Sequence, residues 1–266
     1  MKARWFGLLL VVALAASLLF LTLPIATIFL DTSPGALIAS LGDDQALEAL
    51  RLSFYTSTIA LALIVAFGTP AAYLLATRRF RGRAVLITLI ELPLVVPPAV
   101  AGIALLSAFG PNGVVGGALE QAGVRLVFES AGVVVAMSFV AGPFYLRAAQ
   151  TGFEAVNPSW IAAARTLGAS EARAFAQIAI PAARAGLVTG AALCWGRAVG
   201  EFGATLVFAG SFRGTTQTAS LAIVELFGND FDAALALSAV LVALSAGLLV
   251  TIKLAARLPA SRTAGR

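Results

Sequence analysis

Hydrophobic residues fall into six long runs separated by short polar segments. The runs cover residues 6–30, 52–76, 84–109, 131–146, 187–209 and 233–252. Apolar runs of about 18 residues or more are long enough to cross the hydrocarbon core of a bilayer as helices. The pattern therefore predicts an all-α integral membrane protein with about six transmembrane helices, in which residues 1–266 form a single domain in contact with lipid.

The first run has two interpretations, because it follows Lys2 and Arg4 as the apolar part of a signal peptide would. The apolar part of a signal peptide is roughly 7–15 residues long. The run over residues 6–30 is longer than that. We therefore expect a signal anchor that is retained as the first span.

Prolines interrupt several of the runs. Pro70 lies in the second run, Pro93 and the pair Pro97-Pro98 in the third, and Pro143 in the fourth. A proline inside a span frees a backbone carbonyl, which is tolerated where neighbouring helices or a polar cavity satisfy it. Spans three and four are therefore expected to face protein or a pathway, and the alternative is a simple kink without a transport role.

Basic residues lie mainly in the connections on one side of the predicted bundle. They are Lys2, Arg4, Arg78, Arg79, Arg81, Arg83, Arg147, Arg165, Arg173, Arg184, Lys253, Arg257, Arg262 and Arg266. Lys and Arg mark the cytoplasmic side of short loops, so both termini of this cell-membrane (plasma or inner membrane) protein are predicted to be cytoplasmic. Two termini on one side require an even number of spans, which agrees with six.

The composition excludes several classes of protein and of functional site. Hydrophobic residues make up 60% of the chain and charged residues 12%, which is too little charge to coat a soluble protein. The net charge of +5 resides in short loops, so nucleic acid is not expected as a partner. The chain has no histidine and one cysteine, Cys194, which excludes histidine-based metal sites and an intrachain disulfide. We predict no catalytic residue and no metal ligand.

The longest cytoplasmic connection, residues 150–182, is too long for a loop without structure of its own. Asn157 or Ser159 is suited to cap a short helix over residues 160–167, and Gly168 to end it. Ser170 then begins a second amphipathic stretch that is expected to end before Pro181. The connection is predicted to form a helix, a glycine turn and a second helix against the membrane.

This segment resembles the EAA loop of the permeases of ABC importers. The residues that carry the resemblance are Ala162, Ala163, Ala164 and Gly168, followed by Ile178 and Pro181. Gly168 and Pro181 are thirteen positions apart, as in the family. Two positions depart from the pattern: Ala162 stands where the family usually has Glu, and Ile180 where it usually has Leu.

The resemblance implies that these six residues couple the chain to two copies of a separate ATPase subunit. It also implies a second copy of this chain and an extracytoplasmic oxyanion-binding protein as partners. The sequence contains no phosphate-binding loop of the Gly-x-x-x-x-Gly-Lys-Ser/Thr type, so ATP and magnesium are expected on the ATPase and no cofactor on this chain. The alternative is an ordinary amphipathic loop.

A second resemblance, to molybdate and tungstate permeases, concerns the expected cargo. It is carried by residues 196–205 in the fifth span, by residues 93–102 in the third, and by Phe109, Gly110 and Gly113. Sulfate permeases have a related version, so import of sulfate or thiosulfate remains an alternative. An alternative of another class is an ion-coupled secondary transporter or a membrane enzyme, although no internal repeat or catalytic cluster is visible.

Two charged residues fall within the fifth run. Arg197 and Glu201 are four residues apart and would share one face of a helix. Charged groups at membrane depth mark a pathway by default. A guanidinium group is suited to bind an oxyanion, but a structural or gating ion pair is favoured, since a carboxylate beside it cancels the attraction. The predicted pathway or gate residues are Arg197, Gly200, Glu201, Gly203, Thr205, Pro97 and Pro98.

Overall fold

The computed structural model describes residues 2–257, and within that range the chain forms helices and no strand. The predicted cytoplasmic residues Arg262 and Arg266 lie outside the described residues. The helices are α1 (Lys2–Asp31), α2 (Pro34–Gly42), α3 (Asp44–Thr77), α4 (Arg83–Val95), α5 (Pro98–Phe109), α6 (Gly116–Gln121), α7 (Ser130–Glu154), α8 (Pro158–Thr166), α9 (Glu171–Ala174), α10 (Ile180–Val199), α11 (Gly203–Ala209), α12 (Ala219–Phe227) and α13 (Phe231–Arg257).

Five helical stretches in the described part of the chain are long and apolar enough to cross a membrane. They are α1, α3, α7, α13 and the continuous stretch from Glu171 to Val199. The third predicted run, residues 84–109, forms α4 and α5, whose axes are bent by 119° at the break between them. Val96 and Pro97 both have extended backbones because each precedes a proline, which disfavours the helical conformation.

The two ends of the bundle are distinguished by their contacts. At one end, which we call the arginine-rich end, Arg83 pairs with Glu154 at 3.0 Å and Arg78 with Glu171 at 2.9 Å. At the opposite end, the hydroxyl of Ser130 donates to the carbonyl of Thr215 at 2.6 Å. Since α4 begins beside Glu154 and α7 begins at the opposite end, the chain crosses the bundle between Arg83 and Ser130, and the bent pair of α4 and α5 is the apolar part of this segment.

The centre of the bundle is formed by α3, α7 and α10, which approach one another closely at glycines. A Cβ atom on Gly186 would lie 2.7 Å from the Cα atom of Gly152, so that α7 and α10 touch backbone to backbone. A Cβ atom on Gly68 would lie 3.0 Å from the ring of Tyr145, whose hydroxyl is 2.6 Å from Thr69. Small residues at crossing points allow this close packing of helices in membranes.

The connection into the fifth span differs from the prediction. The second amphipathic stretch does not end before Pro181, because α9, a π-helical turn over Phe175–Ala179 and α10 form one continuous helix. The N–H of Ile180 bonds to the carbonyl of Phe175, five residues back, and Pro181, which has no N–H, follows at the start of α10. The wider turn therefore accommodates the proline without ending the helix.

The run over residues 187–209 is not one helix either. α10 ends at Val199, the chain is non-helical from Gly200 to Phe202, and α11 begins at Gly203. α7, in contrast, continues beyond the predicted residue 146 to Glu154. The polar side chains on that extension are satisfied, since Gln150 donates to Glu154 at 2.8 Å and Arg147 pairs with Glu91 at 2.9 Å.

Candidate functional site

The glycine turn predicted within the long cytoplasmic connection is present, and it lies at the arginine-rich end. Asn157 caps α8 by accepting the N–H of Ser159 at 3.0 Å, and α8 runs to Thr166. Gly168 has a φ of +88°, a left-handed conformation that residues with a side chain rarely adopt. The N–H of Ala169 returns to the carbonyl of Ala164 at 3.0 Å, which closes the end of the helix as glycine-terminated helices commonly do.

The residues predicted to couple to an ATPase fall into two groups. Ala162, Ala163 and Gly168 are exposed at the tip, and Ala164 is half-buried. Ile178 lies in the π-helical turn, which packs against α8, and Pro181 lies in the first turn of α10. Two apolar side chains extend the tip surface, since Trp160 is 56% and Leu167 88% exposed. The structure thus presents α8 and the Gly168 turn outward.

Glu171, for which no role was predicted, joins this tip to the bundle. Its carboxylate lies 2.9 Å from Arg78 at the end of α3 and 3.3 Å from Arg165 in α8. Beneath α8 is a cavity of about 450 Å³, with Tyr73 and Phe153 in its lining. Glu171 stands in the first turn of α9, but its partner Arg78 is 93 residues away, so the sequence offered no signal for this contact.

The second candidate region is the break between α10 and α11. Arg197 and Glu201 form an ion pair at 2.6 Å, as their spacing predicted, but α10 ends between them. The side chain of Glu201 is 1% exposed, and its other carboxylate oxygen accepts the N–H of Ala204 at 2.8 Å. Glu201 therefore caps the start of α11, where a negative charge is favourable, while it holds the end of α10.

A second contact fixes the same break. The hydroxyl of Ser220 donates to the carbonyl of Val199 at 3.0 Å, which joins the end of α10 to the first turn of α12. The guanidinium of Arg197 is partly exposed, yet its charge is neutralised by Glu201 at contact distance. The arrangement suits a brace across the break better than an open binding site for an anion.

The two interrupted helices meet at their breaks. A Cβ atom on Gly203 would lie 2.6 Å from the Cβ atom of Pro98, and one on Gly102 would lie 2.9 Å from the carbonyl oxygen of Ala204. The start of α5 thus packs directly on the start of α11. Of the remaining predicted residues, Pro97 and Gly200 lie in the two breaks themselves.

Thr205 occupies a different position from the other predicted pathway residues. It lies in α11 and is buried, and its hydroxyl has no hydrogen-bond partner among the described residues. A buried hydroxyl without a partner costs about 1–3 kcal/mol. Thr205 is therefore a buried polar group without a hydrogen-bond partner among the described residues, and it lies in the helix that Glu201 caps.

A further cavity, of about 720 Å³, lies between α4, α7 and α10. Its polar lining includes Arg147, Thr151 and Thr189. Arg147 carries the ion pair with Glu91, two residues before Pro93. The Arg147–Glu91 pair was not among the predicted site residues. Its one signal in the sequence was the acidic residue Glu91 within the third apolar run. The described residues contain no group of three His, Cys, Asp or Glu side chains that suits a metal ion.

Comparison with known proteins decides the family. The description "Binding-protein-dependent transport system inner membrane component" matches residues 64–263, most of the chain. The chain belongs to this family. It is a multi-span permease component of the inner membrane and not an enzyme. This family gives no support to the secondary transporter or the membrane enzyme considered above.

Relatives cover most of the chain. The molybdenum transport system permease protein ModB of Mycobacterium tuberculosis is 39% identical over 92% of this chain and 92% of its own length. The probable transport system permease protein NifC of Clostridium pasteurianum is 36% identical over 89% of this chain and 83% of its own. The sulfate transport system permease protein CysT of Salmonella typhimurium is 36% identical over 78% and 76%.

The fold also has solved counterparts. A chain of a bacterial ABC transporter for import of the polysaccharide alginate superposes with a TM-score of 0.77, at 15% identity and over 96% of both chains. Identity this low shows the fold alone. The predicted fold class, a helical ABC importer permease, is thereby confirmed.

Proposed function

We propose that this chain is the membrane-spanning permease subunit of an ATP-driven importer of molybdate or tungstate, and that two copies form the pathway. The observation that carries the proposal is the 39% identity, over 92% of the chain, to a protein named as a molybdenum transport permease. The resemblance of residues 196–205 and 93–102 to the same group supports it. Those residues include the two breaks that meet at Pro98 and Gly203.

The arginine-rich end is proposed to face the cytoplasm, with both termini on that side. Arg78, Arg79, Arg81 and Arg83 follow α3 at this end, as expected of a cytoplasmic connection. The exposed turn at Gly168 would then face the compartment that supplies ATP. We assign Ala162, Ala163, Ala164 and Gly168 to the contact with an ATPase subunit, which binds ATP and magnesium in place of this chain.

Coupling is proposed to pass along one helix. The continuous stretch from Glu171 to Val199 is 29 residues and hence about 43 Å long, and it connects the Gly168 turn to the Arg197–Glu201 pair. Closure of two ATPase subunits would displace α8 and shift the population of the pathway from inward-open to outward-open. A binding protein would then deliver the oxyanion, and hydrolysis would reset the complex.

Ile178 and Pro181 receive a role in this scheme that differs from docking. They lie in or beside the π-helical turn, at the start of the continuous helix. Single π-helical turns frequently occur at functional positions. We assign these two residues to transmission of the movement rather than to contact with the ATPase.

Arg197 and Glu201 are proposed to brace the gate. The pair holds the ends of α10 and α11 together, and Pro97, Pro98, Gly200 and Gly203 provide the close contact of the two breaks. Thr205 is the nearby polar group available to the moving helices. Selectivity for the oxyanion would reside mainly in the binding protein.

Sulfate or thiosulfate is the second candidate cargo. The relative named as a sulfate permease is 36% identical, close to the value for ModB, although it covers only 78% of this chain. The two candidates share the architecture and differ only in the anion. Uptake experiments can therefore separate them without affecting the structural assignment.

The test reconstitutes this chain in liposomes with its neighbouring ATPase and binding protein and follows ATP hydrolysis and uptake with molybdate, tungstate or sulfate. The proposal expects molybdate or tungstate to stimulate hydrolysis and accumulate inside. Accumulation of sulfate alone would overturn the cargo. Failure of any ATPase to associate, together with uptake driven by an ion gradient, would overturn the ABC assignment.

A further inference from the structure

A strained residue marks the end of the bundle opposite the arginine-rich end. Phe128, two residues before α7, has a φ of +62° and is the one non-glycine residue with a left-handed backbone among residues 2–257. A bulky residue in this conformation is strained, and such residues concentrate at functional positions. Glycine would occupy the position without strain. The phenyl ring therefore needs an explanation beyond the turn.

The ring of Phe128 forms a pair with Phe212, and both rings point outward. Their centroids are 5.6 Å apart at an interplanar angle of 85°, and the two residues are 56% and 52% exposed. Gly210 makes room for them, since a Cβ atom there would lie 2.7 Å from the ring of Phe212 and 3.2 Å from that of Phe128. A strained backbone and a glycine thus combine to hold two apolar rings in an exposed position.

The backbone beneath the pair is rigid. The carbonyl of Phe212 accepts the N–H groups of Thr215, Thr216 and Gln217 at 3.1, 2.9 and 2.9 Å. The N–H of Phe212 donates to the hydroxyl of Thr216 at 3.0 Å. Thr216, Gln217 and Thr218 are buried, and Ser130 ties this loop to α7. The pair is preorganised, so a partner would lose little conformational entropy on binding it.

The surroundings of the pair are charged. Arg125 and Glu129 flank Phe128 and are exposed, and Arg213, which follows Phe212, is 63% exposed and pairs with Glu225 at 3.6 Å. Phenylalanine and arginine are both enriched at interfaces between proteins. Lipid is a poorer partner for this surface, because the rings project from a loop between charged residues.

We infer that the Phe128–Phe212 pair is a docking contact for the extracytoplasmic binding protein, whose matching surface is an apolar pocket. This inference rests on the proposed function, which places this end of the bundle outside the cytoplasm. The family is described as binding-protein-dependent, so a protein partner approaches from that side.

The test measures ATP hydrolysis by the full complex in nanodiscs as the oxyanion-loaded binding protein is titrated. Phe128→Gly removes the ring and relieves the strain, so the variant is expected to unfold at the same or a higher temperature than the wild type. Phe212→Ala removes the other ring. Both variants should need about tenfold more binding protein for half-maximal stimulation, with unchanged hydrolysis in its absence.

Phe227→Ala is the matched control, because Phe227 also forms an exposed aromatic pair, with Phe231, but without a strained backbone. Half-maximal stimulation at the wild-type concentration in both Phe128→Gly and Phe212→Ala would overturn the inference. So would dissociation of the permease dimer in these variants, which would assign the pair to a second copy. If the wild type itself responds to no binding protein with any of the three oxyanions, the proposed function falls as well.

Discussion

Two ion-paired regions at different depths of the molecule use the same chemistry with different results. Glu171 pairs with Arg78 and Arg165 at 2.9 and 3.3 Å, and its side chain is 59% exposed. Glu201 pairs with Arg197 at 2.6 Å, and its side chain is 1% exposed. The first carboxylate joins α8 and α9 to α3, whereas the second joins α10 to α11.

Burial decides what each pair contributes. Exposed pairs are worth roughly 0–1 kcal/mol, because water and salt screen them and long side chains lose entropy. A buried carboxylate must have its desolvation compensated, and Glu201 uses both oxygens, one on Arg197 and one on the N–H of Ala204. The Glu171 contacts are therefore adjustable, as the proposed movement of α8 requires, and the Glu201 contacts are part of the fold.

Removal of the buried carboxylate should have the largest effect. Glu201→Ala leaves Arg197 without its partner and the start of α11 without its cap, which should lower the free energy of unfolding by about 3–5 kcal/mol. Thermal unfolding of the purified protein in detergent measures this loss. Glu201→Gln keeps an acceptor for the N–H of Ala204 and should lose less. Wild-type stability in Glu201→Ala would contradict the role as a brace.

α10 belongs to the helix that connects the two regions. A substitution where α10 touches α7 should destabilise the protein nearly as much as removal of the buried carboxylate. Gly186→Ala places a Cβ atom 2.7 Å from the Cα atom of Gly152 and should cost about 1–3 kcal/mol of stability through overpacking. The control is Gly196→Ala in the same helix, where a Cβ atom would meet nothing within 4 Å. Equal stability of the two variants would show that α7 and α10 do not pack as described.

The Gly168 turn should affect coupling more than stability. Gly168→Val forces a β-branched residue into a left-handed backbone at a cost of about 1–2 kcal/mol. The amount of oxyanion transported per ATP hydrolysed is expected to fall. Gly82→Val is a matched control, since Gly82 has a φ of +89° and, like Gly168, nothing within 4 Å of a Cβ atom. A similar fall in both variants would remove the special role of the Gly168 turn.

The exposed carboxylate should have the smallest effect on folding. Glu171→Gln should change the free energy of unfolding by less than about 1 kcal/mol. It should reduce transport per ATP at low salt and leave it unchanged at high salt, where the wild-type pairs are already screened. Glu120→Gln, another exposed acid, is the control and should do neither. A large loss of stability in Glu171→Gln would erase the contrast between the two regions.

The local features of these regions could be predicted from the sequence. The Asn157 cap, the Gly168 turn and the pairing of Arg197 with Glu201 all follow from residues close together in the chain. Helix capping and the preference of glycine for the left-handed region act over a few residues, so their signals are local. The apolar runs likewise located the long helices.

Contacts between distant segments could not be predicted in this way. The meeting of Pro98 with Gly203 depends on how α5 packs on α11, and the Arg78–Glu171 pair on how the tip folds back. Pro181 indicated that the helix ends, because proline usually breaks a helix. The π-helical turn before it accommodates a residue without an N–H, so the helix continues. The backbone geometry of that turn thus overrode the helix-ending signal of Pro181.

The most direct test of the account is a cross-link from α8 to the ATPase. Cys194 is buried, so the wild type serves as a blank for a photoactivatable label that reacts with thiols. Ala163→Cys places the label on the exposed face of α8, and Arg81→Cys places it on the exposed turn between α3 and α4 at the same end. We expect cross-linking to the ATPase from Ala163→Cys and not from Arg81→Cys. Cross-linking from Arg81→Cys alone, or from neither variant in a complex that hydrolyses ATP, would contradict it.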